Sequence, residues 1–439
     1  MFGRKKSDAP AAVAGEREPL PPPPEADRDG LRSMRAHQEY LLSCVEELPP
    51  FSQHILDALD LAICDDISST INLPRFDNTA MDGYAVRAAD VAGASASVPV
   101  RLPVVGEIAA GRSAAHRLSP GTAMKIMTGA PVPEGADAIV PYENTDRGEN
   151  DVTITAPSTV GQHIRRVGED IEAGVRLFGD GDQLGARDIG VLAGIGLNKV
   201  LVRPRPRVVV ISTGSELVDP GLSLSSEQQI FDSNSYMLAA AAKTAGAQVY
   251  RVGLVGDDAE EFKQVINDQL IRADLILTTG GVSQGDFDIV KAVMPELGEC
   301  DFTQVAMQPG RPQGFGLIGD DRIPVIMLPG NPVSAFVSFE VFARPVIRKL
   351  MGVRPYGRTA VKCQAAHAMT SIPGRRQFAR GIVSVTGGGD RRVELAGGHG
   401  SHLLGDLARA NALVILAEDV EFVAAGEHLD VWLLDDAPE

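Results

Sequence analysis

The middle of the chain alternates between apolar, strand-like runs and amphipathic, helix-like runs, and this pattern restricts the fold more than any other feature. Beyond Arg205 the strand-like runs are RVVVIS, QVYRVGLVG, DLILTTGG and IPVIMLPG, and the helix-like runs between them include SNSYMLAAAAKTAGA and DAEEFKQVINDQLIRA. The stretch NPVSAFVSFEVFARPVIRKLMG predicts a closing helix that ends near residue 351. Strands that alternate with helices of this length form parallel βαβ units. Residues 203–351 are therefore predicted to fold as an α/β domain around a parallel sheet.

Short strand-like runs separated by Gly and Pro turns flank this domain on both sides. Before it, VPVRLPVVGEI, DAIVPYE and DVTITAP predict a β-rich domain at residues 76–160. After it, TAVKCQAA, RRQFARGIVSV and three later runs predict a last β domain at residues 352–439. Residues 36–75 and 161–202 are interpreted together as a helical, linking domain, whose first part contains two helices interrupted by a pair of prolines.

The N-terminal segment differs from the rest of the chain in composition. The run DAPAAVAGEREPLPPPPEADRDG is rich in Pro, Ala and charged residues, and such a segment cannot bury enough apolar surface to offset chain entropy. Residues 1–35 are therefore predicted to form a disordered tail. The start, MFGRKKSDAP, lacks the apolar core of a secretory signal, and no apolar run approaches the roughly 20 residues that span a bilayer. We expect a cytoplasmic protein that does not contact a membrane.

The net charge, the cysteines, the histidines and the missing motifs exclude several classes of function. A formal net charge of -17 argues against a nucleic-acid partner, because phosphate-backbone binding needs concentrated Lys and Arg. The four cysteines are widely scattered and are interpreted as buried thiols. The eight histidines show no metal-binding spacing, and no GxSxG or Walker motif is present. Covalent catalysis is therefore not favoured. A small polyanionic ligand can still bind if positive charge is gathered locally or supplied by a metal.

Three loops at the predicted carboxyl ends of strands combine glycines with carboxylates. They are residues 213–216, 256–258 and 280–288. Ligands of an open parallel sheet bind at these ends, and Gly-rich turns let backbone amides approach a phosphate. Carboxylates repel phosphate unless a cation lies between them, and Mg²⁺ binds one or two carboxylates together with phosphate oxygens. The sequence therefore predicts a Mg²⁺–phosphate site with Asp288 and either Asp257 or Glu216, while Asp286 is interpreted as a helix cap.

Polar residues also cluster in the β-rich domain and its entry. In FDNTAMDGYAV, Asp77 and Asp82 flank an Asn-Thr pair, although Asx turns explain such a stretch equally well. Thr128 in IMTGAPVPEGADAIV is either a turn hydroxyl or a functional one. The stretch HIRRVGEDIEAG, which includes Asp170, is compatible with a surface salt-bridge cluster.

Two rigid turns are placed to shape a rim around the strand-end site. The stretch FTQVAMQPGRPQGFG carries Arg311 between two prolines. The stretch LPGNPVSAF places Pro329 and Pro332 where a strand becomes a helix. Because proline restricts the backbone, these loops are expected to hold their positions well.

Seven motifs in register carry a family resemblance. They are FDNTAMDGYAV, GEIAAG, MTGAPVPEGADAIV, GEDI, STGSEL, TTGGVSQGDFD and LPGNPVSA. In this order they resemble the molybdopterin molybdenumtransferase family, known as MoeA and as the E domain of gephyrin, from about residue 34 to the C-terminus. TTGGVSQGDFD alone is less specific, since the related molybdopterin adenylyltransferase domain has a similar loop. FDNTAMDGYA and MTGAPVPEGADA separate the two families.

The resemblance implies an elongated, four-domain subunit with a central molybdopterin-binding α/β domain and a C-terminal, barrel-like β domain. It implies a homodimer with each active site formed between the α/β domain of one subunit and the β-rich domain of the other. The implied reaction inserts molybdenum from molybdate into adenylylated molybdopterin, with Mg²⁺-dependent hydrolysis that releases AMP. Molybdopterin adenylyltransferase is a candidate partner.

The family motifs also imply the site residues. The implied catalytic residues are Asp77 or Asp82, Thr128, Asp170, Glu216 and Asp288. The implied substrate-binding residues are Gly280, Gly281, Ser283, Arg311, Pro329 and Pro332, and the implied metal ligands are Asp257, Asp288 and Glu216. Between Asp77 and Asp82 we favour Asp77, because it begins its motif beside the Asn-Thr pair.

Two alternative functions remain, and the chain differs from the family pattern in one stretch. The chain could instead act as a gephyrin-like scaffold without catalysis, or as an adenylyltransferase-like enzyme that transfers a nucleotide. Many members of the family carry lysines where this chain reads AMQPGRPQGFG, with Gln308 and Arg311. Arginine still supplies a positive charge, in a planar form, but Gln308 does not.

Overall fold

The computed structural model describes most of the chain. Its described residues are 19–111, 117–256, 258–281, 289–398 and 400–435. They form two compact units: the first contains the described residues up to Phe51, Asp60–Ala62 and the chain from Val202 onward, and the second contains Ser52–Leu59 and Ile63–Leu201. The chain thus leaves the first unit early, builds the second unit and returns.

The first described elements are strand β1 (Leu31–Arg32) and helix α1 (Met34–Ser43). Both residues of β1 are buried, and the strand pairs in parallel with the stretch that contains Gln304. The Arg32 guanidinium also forms an ion pair with Asp301 at 2.5 Å. The prediction of a disordered tail at residues 1–35 therefore extends too far toward the C-terminus. Strand pairing and one ion pair hold Leu31 and Arg32 in the fold.

The prediction of a second helix before residue 62 is wrong. The chain instead forms strand β2 (Phe51–His54) and a 3₁₀ turn at Ile55–Ala58. The backbone N–H of Ile55 donates to the carbonyl oxygen of Asn198 at 3.1 Å, so this amide is satisfied outside any helix. Asp60 adopts a left-handed conformation with φ of 66°, which stops helical winding.

The second unit is built mainly from short strands. Its further elements are β3 (Ile67–Ser68), β4 (Asn78–Thr79), β5 (Gly83–Val86), α2 (Ala88–Val91), β6 (Val100–Ile108), β7 (Ala123–Ile126), β8 (Ala138–Pro141), β9 (Asp151–Ile154), β10 (Ile164–Arg165), β11 (Arg176–Phe178), α3 (Ala186–Gly194) and β12 (Lys199–Val202). Five strands form the main sheet in the order β8-β5-β7-β6-β9. One face buries Tyr84, Val86, Val140 and Ile154, so the β-branched runs predict the core of this sheet correctly.

Gly83 begins β5 in close contact with β8. A Cβ atom here would lie 2.1 Å from the carbonyl oxygen of Val140, and this oxygen cannot move without separating two strands. We expect Gly83→Ala to lower the free energy of unfolding by about 3 kcal/mol, the upper end of overpacking costs, as measured by urea denaturation. The control is Gly190→Ala, since a Cβ at this α3 position meets open space and alanine favours a helix. Equal denaturation curves for Gly83→Ala and the wild type would contradict the expectation.

The α/β domain contains a seven-stranded sheet. Its elements are β13 (Arg207–Ser212), β14 (Leu217–Val218), β15 (Ile230–Phe231), α4 (Asn234–Thr244), β16 (Gln248–Arg251), α5 (Ala259–Leu270), β17 (Leu275–Thr279), α6 (Ile289–Leu297), β18 (Gly298–Val305), β19 (Met307–Gln308), β20 (Pro312–Ile318) and β21 (Ile323–Leu328). The strand order is β1-β18-β20-β21-β17-β13-β16. β16, β13, β17 and β21 are parallel neighbours, as predicted, but β20 is antiparallel to β18 and β21. The sheet is therefore mixed, because β18, β20 and β21 are joined without crossover helices.

Helices cover both faces of this sheet. Val208 and Val210 of β13 belong to one core cluster with residues of α1 and α4, whereas Val209 and Ile211 belong to another with residues of α5 and α6. Because successive strand side chains point to opposite faces, both faces of β13 require apolar residues. This arrangement explains the uninterrupted apolar run RVVVIS.

The predicted closing helix consists of three consecutive segments. They are α7 (Pro332–Ser338), a π-helical segment (Phe339–Ala343) and α8 (Arg344–Leu350). The π segment places Glu340, which is only 2% exposed, against Arg358, whose Nε lies 2.5 Å from the carboxylate. Arg344 lies 3.9 Å from the same carboxylate. Burial lowers the pKa of the Arg344 and Arg348 guanidinium groups, so Glu340 compensates positive charge in a poorly hydrated position.

The C-terminal domain is a closed barrel. Its elements are β22 (Ala360–Ala365), β23 (Met369–Thr370), β24 (Arg376–Val385), β25 (Arg391–Leu395), α9 (Leu404–Arg409), β26 (Ala412–Leu416), β27 (Phe422–Val423) and β28 (His428–Leu433). The order β24-β25-β22-β28-β26 is closed by pairing between β24 and β26. The barrel-like domain that the resemblance implied is confirmed. Every helix within the described ranges is too short or too polar to traverse a bilayer.

Candidate functional site

A cavity of about 750 Å³ lies at the carboxyl ends of β13, β17 and β21. This is the edge where ligands of parallel sheets bind. It brings together five of the predicted site residues. They are Glu216, Gly280, Gly281, Pro329 and Pro332. Arg311 directly precedes Pro312, which also lines the cavity, whereas Asp257, Ser283 and Asp288 lie outside the described residues.

Glycine is required where the loop after β17 passes the loop after β13. Gly280 has φ of 94°, and a Cβ there would lie 2.7 Å from the carbonyl oxygen of Thr213. The Gly280 N–H donates to the Leu328 carbonyl at 3.2 Å, so it serves the fold. The N–H of Gly281, the next residue, is therefore the better candidate for a phosphate contact.

A buried carboxylate supports the cavity from the start of α4. Asp232 is 1% exposed and accepts hydrogen bonds from the Ser212 hydroxyl at 3.0 Å and from the Ser235 amide at 3.0 Å. The Ser235 hydroxyl also donates to Asp232, and the Arg251 guanidinium lies 3.9 Å away. The sequence analysis predicts a helix from the run SNSYMLAAAAKTAGA but assigns no role in the site to Asp232, which precedes it.

The C-terminal domain contributes His402 to the cavity lining. Its loop is held by Arg380, which is 5% exposed and donates to the carbonyl oxygens of Gly398, Gly400 and Leu403. The neighbouring Ser401 carbonyl accepts a hydrogen bond from the Val333 amide at 3.0 Å. Sequence reasoning missed these residues, although the Gly- and His-rich run GGHGSHLLG is the signal that could have found them.

In the second unit, Asp82 and Thr128 form a pair. The backbone N–H and the hydroxyl of Thr128 each donate to one Asp82 oxygen at 2.7 Å. Both hydrogen bonds lower the pKa of Asp82, the backbone one more strongly. The two loops are also joined through their backbones, since Gly129 donates to the Thr79 carbonyl at 2.9 Å. Two motifs that lie 46 residues apart thus form one exposed polar site.

Asp77, which we favoured over Asp82, lies in a different environment. It accepts hydrogen bonds from the Val167 amide at 2.8 Å and from the Arg166 guanidinium at 2.6 Å. The amide of Val167, followed by Arg166, lowers the pKa of the Asp77 carboxyl. The amide of Asp170 donates to the Leu73 carbonyl at 3.0 Å. Asp77 thus ties the GEDI loop to its own motif, and the carboxylate joined to Thr128 is Asp82.

The lowered pKa of Asp77 has a consequence for acid stability. Its ionised form contributes stability above the ordinary pKa of 3.8, and this contribution is lost as the pH falls through the lower folded-state pKa. We expect Asp77→Asn to flatten the dependence of urea stability on pH between pH 5 and pH 3, because its side chain does not titrate. Asp65→Asn, at an exposed position, serves as the control. Parallel pH profiles for Asp77→Asn and the wild type would contradict the expectation.

Three family models match the chain along most of its length. They are the MoeA N-terminal region (domain I and II) at residues 32–196, the probable molybdopterin binding domain at 209–349 and the MoeA C-terminal region (domain IV) at 362–434. Molybdopterin molybdenumtransferase 2 of Mycobacterium tuberculosis is 44% identical over 411 residues, which cover 92% of this chain and 99% of the relative.

The chain belongs to the molybdopterin molybdenumtransferase family. The resemblance drawn from the seven motifs is therefore confirmed. Molybdopterin molybdenumtransferase of Haemophilus influenzae is 35% identical over 393 residues, which cover 88% of this chain and 95% of that protein. The crystal structure of the molybdopterin biosynthesis MoeA protein from Pyrococcus horikoshii OT3 matches with a TM-score of 0.77 and 29% identity, over 92% of this chain and all of that one.

The sequence analysis expects a divalent ion at this sheet edge, and Glu216 is the lining carboxylate that suits it. Glu216 lines the cavity, and its carboxylate lies against Gly214, where an added Cβ would be 2.6 Å from one oxygen. Asp232 is less suitable, since serine side chains and an amide already occupy its oxygens. Within the described ranges no group of three His, Cys, Asp or Glu residues could hold a metal. One carboxylate is compatible with Mg²⁺, which takes substrate phosphates and waters as its other ligands.

Gln308 and Arg311 stand where many members of the molybdopterin molybdenumtransferase family carry lysines, and the structure shows which positive charges lie nearby. Oε1 of Gln308 accepts a weak hydrogen bond from the Arg375 guanidinium at 3.4 Å, so a positive charge stands beside the uncharged residue. The buried Nε of Arg311 has no hydrogen-bond partner among the described residues. Because buried donors are normally satisfied, Arg311 is a candidate for binding an anion.

Proposed function

We propose that the chain inserts molybdenum from molybdate into adenylylated molybdopterin and that Mg²⁺-dependent hydrolysis releases AMP. The proposal rests on the cavity at the carboxyl ends of β13, β17 and β21, which gathers Glu216 with the glycine and proline turns of the family motifs. Relatives that match almost their full length are named molybdopterin molybdenumtransferases. We further propose a cytoplasmic homodimer that receives its substrate from molybdopterin adenylyltransferase.

The residues of the cavity suit the binding of a nucleotide-bearing pterin. The amide of Gly281 would bind a phosphate, and the prolines at 329 and 332 would keep the opposite wall rigid. Arg311 would balance the charge of molybdate or phosphate. Asp82, Thr128 and Asp170 stay assigned to the reaction through their motifs, with Asp82 now preferred to Asp77 because of its bond to Thr128.

Hydrolysis of the phosphoric anhydride adds a water oxygen to phosphorus and breaks one P–O bond, so negative charge develops on the departing phosphate. Glu216 would hold Mg²⁺ at the cavity, together with Asp257 and Asp288, which lie outside the described residues. When bound, the ion offsets this charge and acidifies water. The closely packed loops after β13, β17 and β21 would orient the phosphate for this displacement.

The decisive experiment incubates purified protein with adenylylated molybdopterin, Mg²⁺ and molybdate. Release of AMP together with metallated cofactor supports the proposal. Consumption of ATP with unmodified molybdopterin would instead indicate an adenylyltransferase. Binding of the adenylylated substrate without turnover would indicate a scaffold.

Replacement of Arg311 tests the anion contact. We expect Arg311→Ala to weaken molybdate binding by about tenfold, since hydrogen bonds from charged groups contribute roughly 1.5–3 kcal/mol. The measurement is a calorimetric titration with molybdate. Arg391→Ala removes a guanidinium from an exposed position of the barrel and should leave binding unchanged. An unaltered dissociation constant in Arg311→Ala would refute this role.

A further inference from the structure

Asn234, the first residue of α4, joins two walls of the cavity. Its Nδ2 donates to the Thr279 hydroxyl at 3.0 Å and to the Gly330 carbonyl at 2.6 Å. Thr279 ends β17, and Gly330 follows β21 in the LPGNP turn. One amide group therefore links the start of a helix with the ends of two strands.

Only a donor fits between these partners. The Gly330 carbonyl can only accept a hydrogen bond. The Thr279 hydroxyl already donates to the Pro329 carbonyl at 3.1 Å, so it must accept from Asn234. The chemistry of both partners therefore fixes the orientation of the amide, and a carboxylate at this position would face two electron-rich oxygens.

The elements that the amide joins are also held by other contacts. Two residues before it, Asp232 fixes the start of α4 through Ser212 and Ser235. The acceptor Thr279 is 1% exposed. Gly280 and Gly330 are neighbours, since a Cβ on Gly330 would make an ordinary van der Waals contact of 3.6 Å with the Gly280 Cα. The link therefore joins three elements that already contact one another at this edge of the sheet.

We propose that Asn234 is a positioning residue that holds the Gly280–Gly281 turn and the Pro329–Pro332 turn at the separation that binds adenylylated molybdopterin. This inference rests on the proposed function of the cavity. Asn234 acts through the two loops, one of which would bind phosphate while the other forms the opposite wall. Loss of the link would release both loops and reduce the preorganisation on which affinity depends.

The test compares Asn234→Asp and Asn234→Ala with the full-length wild type. We expect KM for adenylylated molybdopterin to rise roughly tenfold in both variants with a smaller change in kcat, because loops that are no longer preorganised weaken the bound and reacting states alike. We also expect faster amide hydrogen exchange at residues 280–281, 330–331 and 333–334. Asn267→Asp, at an exposed position of α5, is the charge-matched control and should match the wild type in both measurements.

The two readouts separate this inference from the proposed function. A wild type that releases no AMP would overturn the proposed function, while faster loop exchange in Asn234→Asp would still support the link. An active wild type whose Asn234 variants keep both KM and loop exchange would overturn the positioning role. A lower melting temperature with unchanged KM in the folded variants would assign Asn234 to stability alone and would also overturn the proposal.

Discussion

Glu216→Gln is expected to reduce AMP release at least about 100-fold, in line with the loss that follows mutation around metal sites. Glu216 is the described carboxylate that lines the strand-end cavity and whose oxygens are not engaged as those of Asp232 are. Glutamine keeps the size of the side chain and one carbonyl oxygen but removes the charge that would attract a divalent ion. The measurement is chromatographic quantification of AMP during incubation with adenylylated molybdopterin and a titration of Mg²⁺.

The control for this variant is Glu227→Gln, at an exposed position of the loop between β14 and β15, which should keep full turnover. Excess Mg²⁺ is expected to restore part of the activity of Glu216→Gln, since a weakened site is refilled by mass action. Asp288→Ala should keep the fold and lose AMP release in the same way. If the wild type keeps full turnover after thorough chelation of divalent ions, none of these carboxylates acts by binding a metal.

Glu340→Ala is expected to lower the free energy of unfolding by about 3–5 kcal/mol, the cost of breaking a buried ion pair by removing one partner. Glu340 is 2% exposed and faces the guanidinium groups of Arg358 and Arg344, which are each 14% exposed. Without its carboxylate these groups keep their charge in a mostly buried site. Chemical denaturation of the variant and the wild type at neutral pH measures the difference.

Glu296→Ala provides the control, since its ion pair with Lys263 is solvent-exposed and such pairs contribute little. A second variant, Arg358→Met, should also destabilise the protein, because Glu340 then loses the partner that lies 2.5 Å away. If Glu340→Ala unfolds at the same denaturant concentration as the wild type, the pair does not stabilise the fold and this expectation is wrong.

Local sequence patterns predict those parts of the fold in which burial follows chain periodicity. The run RVVVIS predicts a strand covered on both faces, and Val208 and Val209 indeed belong to different core clusters. Patterns fail where a distant partner decides the structure. Ile55 was assigned to a helix but donates to Asn198, and β20 is antiparallel because of its short connections to β18 and β21.

In the site, too, local patterns predict some residues, and distant contacts decide the others. Glu216, Gly280 and Pro329 were expected at one sheet edge because carboxyl ends of parallel strands converge, and they do line one cavity. Asn234 and His402 were missed, since their part in the cavity depends on contacts with residues far away in the chain. The preference for Asp77 over Asp82 relied on position within one motif, whereas the bond to Thr128 spans two motifs.

Strand β1 pairs with the last two residues of β18 at the border of the seven-stranded sheet. Uncovered strand borders invite pairing with other molecules, so loss of these two residues would leave the end of β18 open to such pairing. Shortened versions of the chain, or fusions near its beginning, need to keep Leu31–Arg32 and the Arg32–Asp301 ion pair that holds them. The end of a segment whose composition predicts a disordered tail thus completes the border of the central sheet.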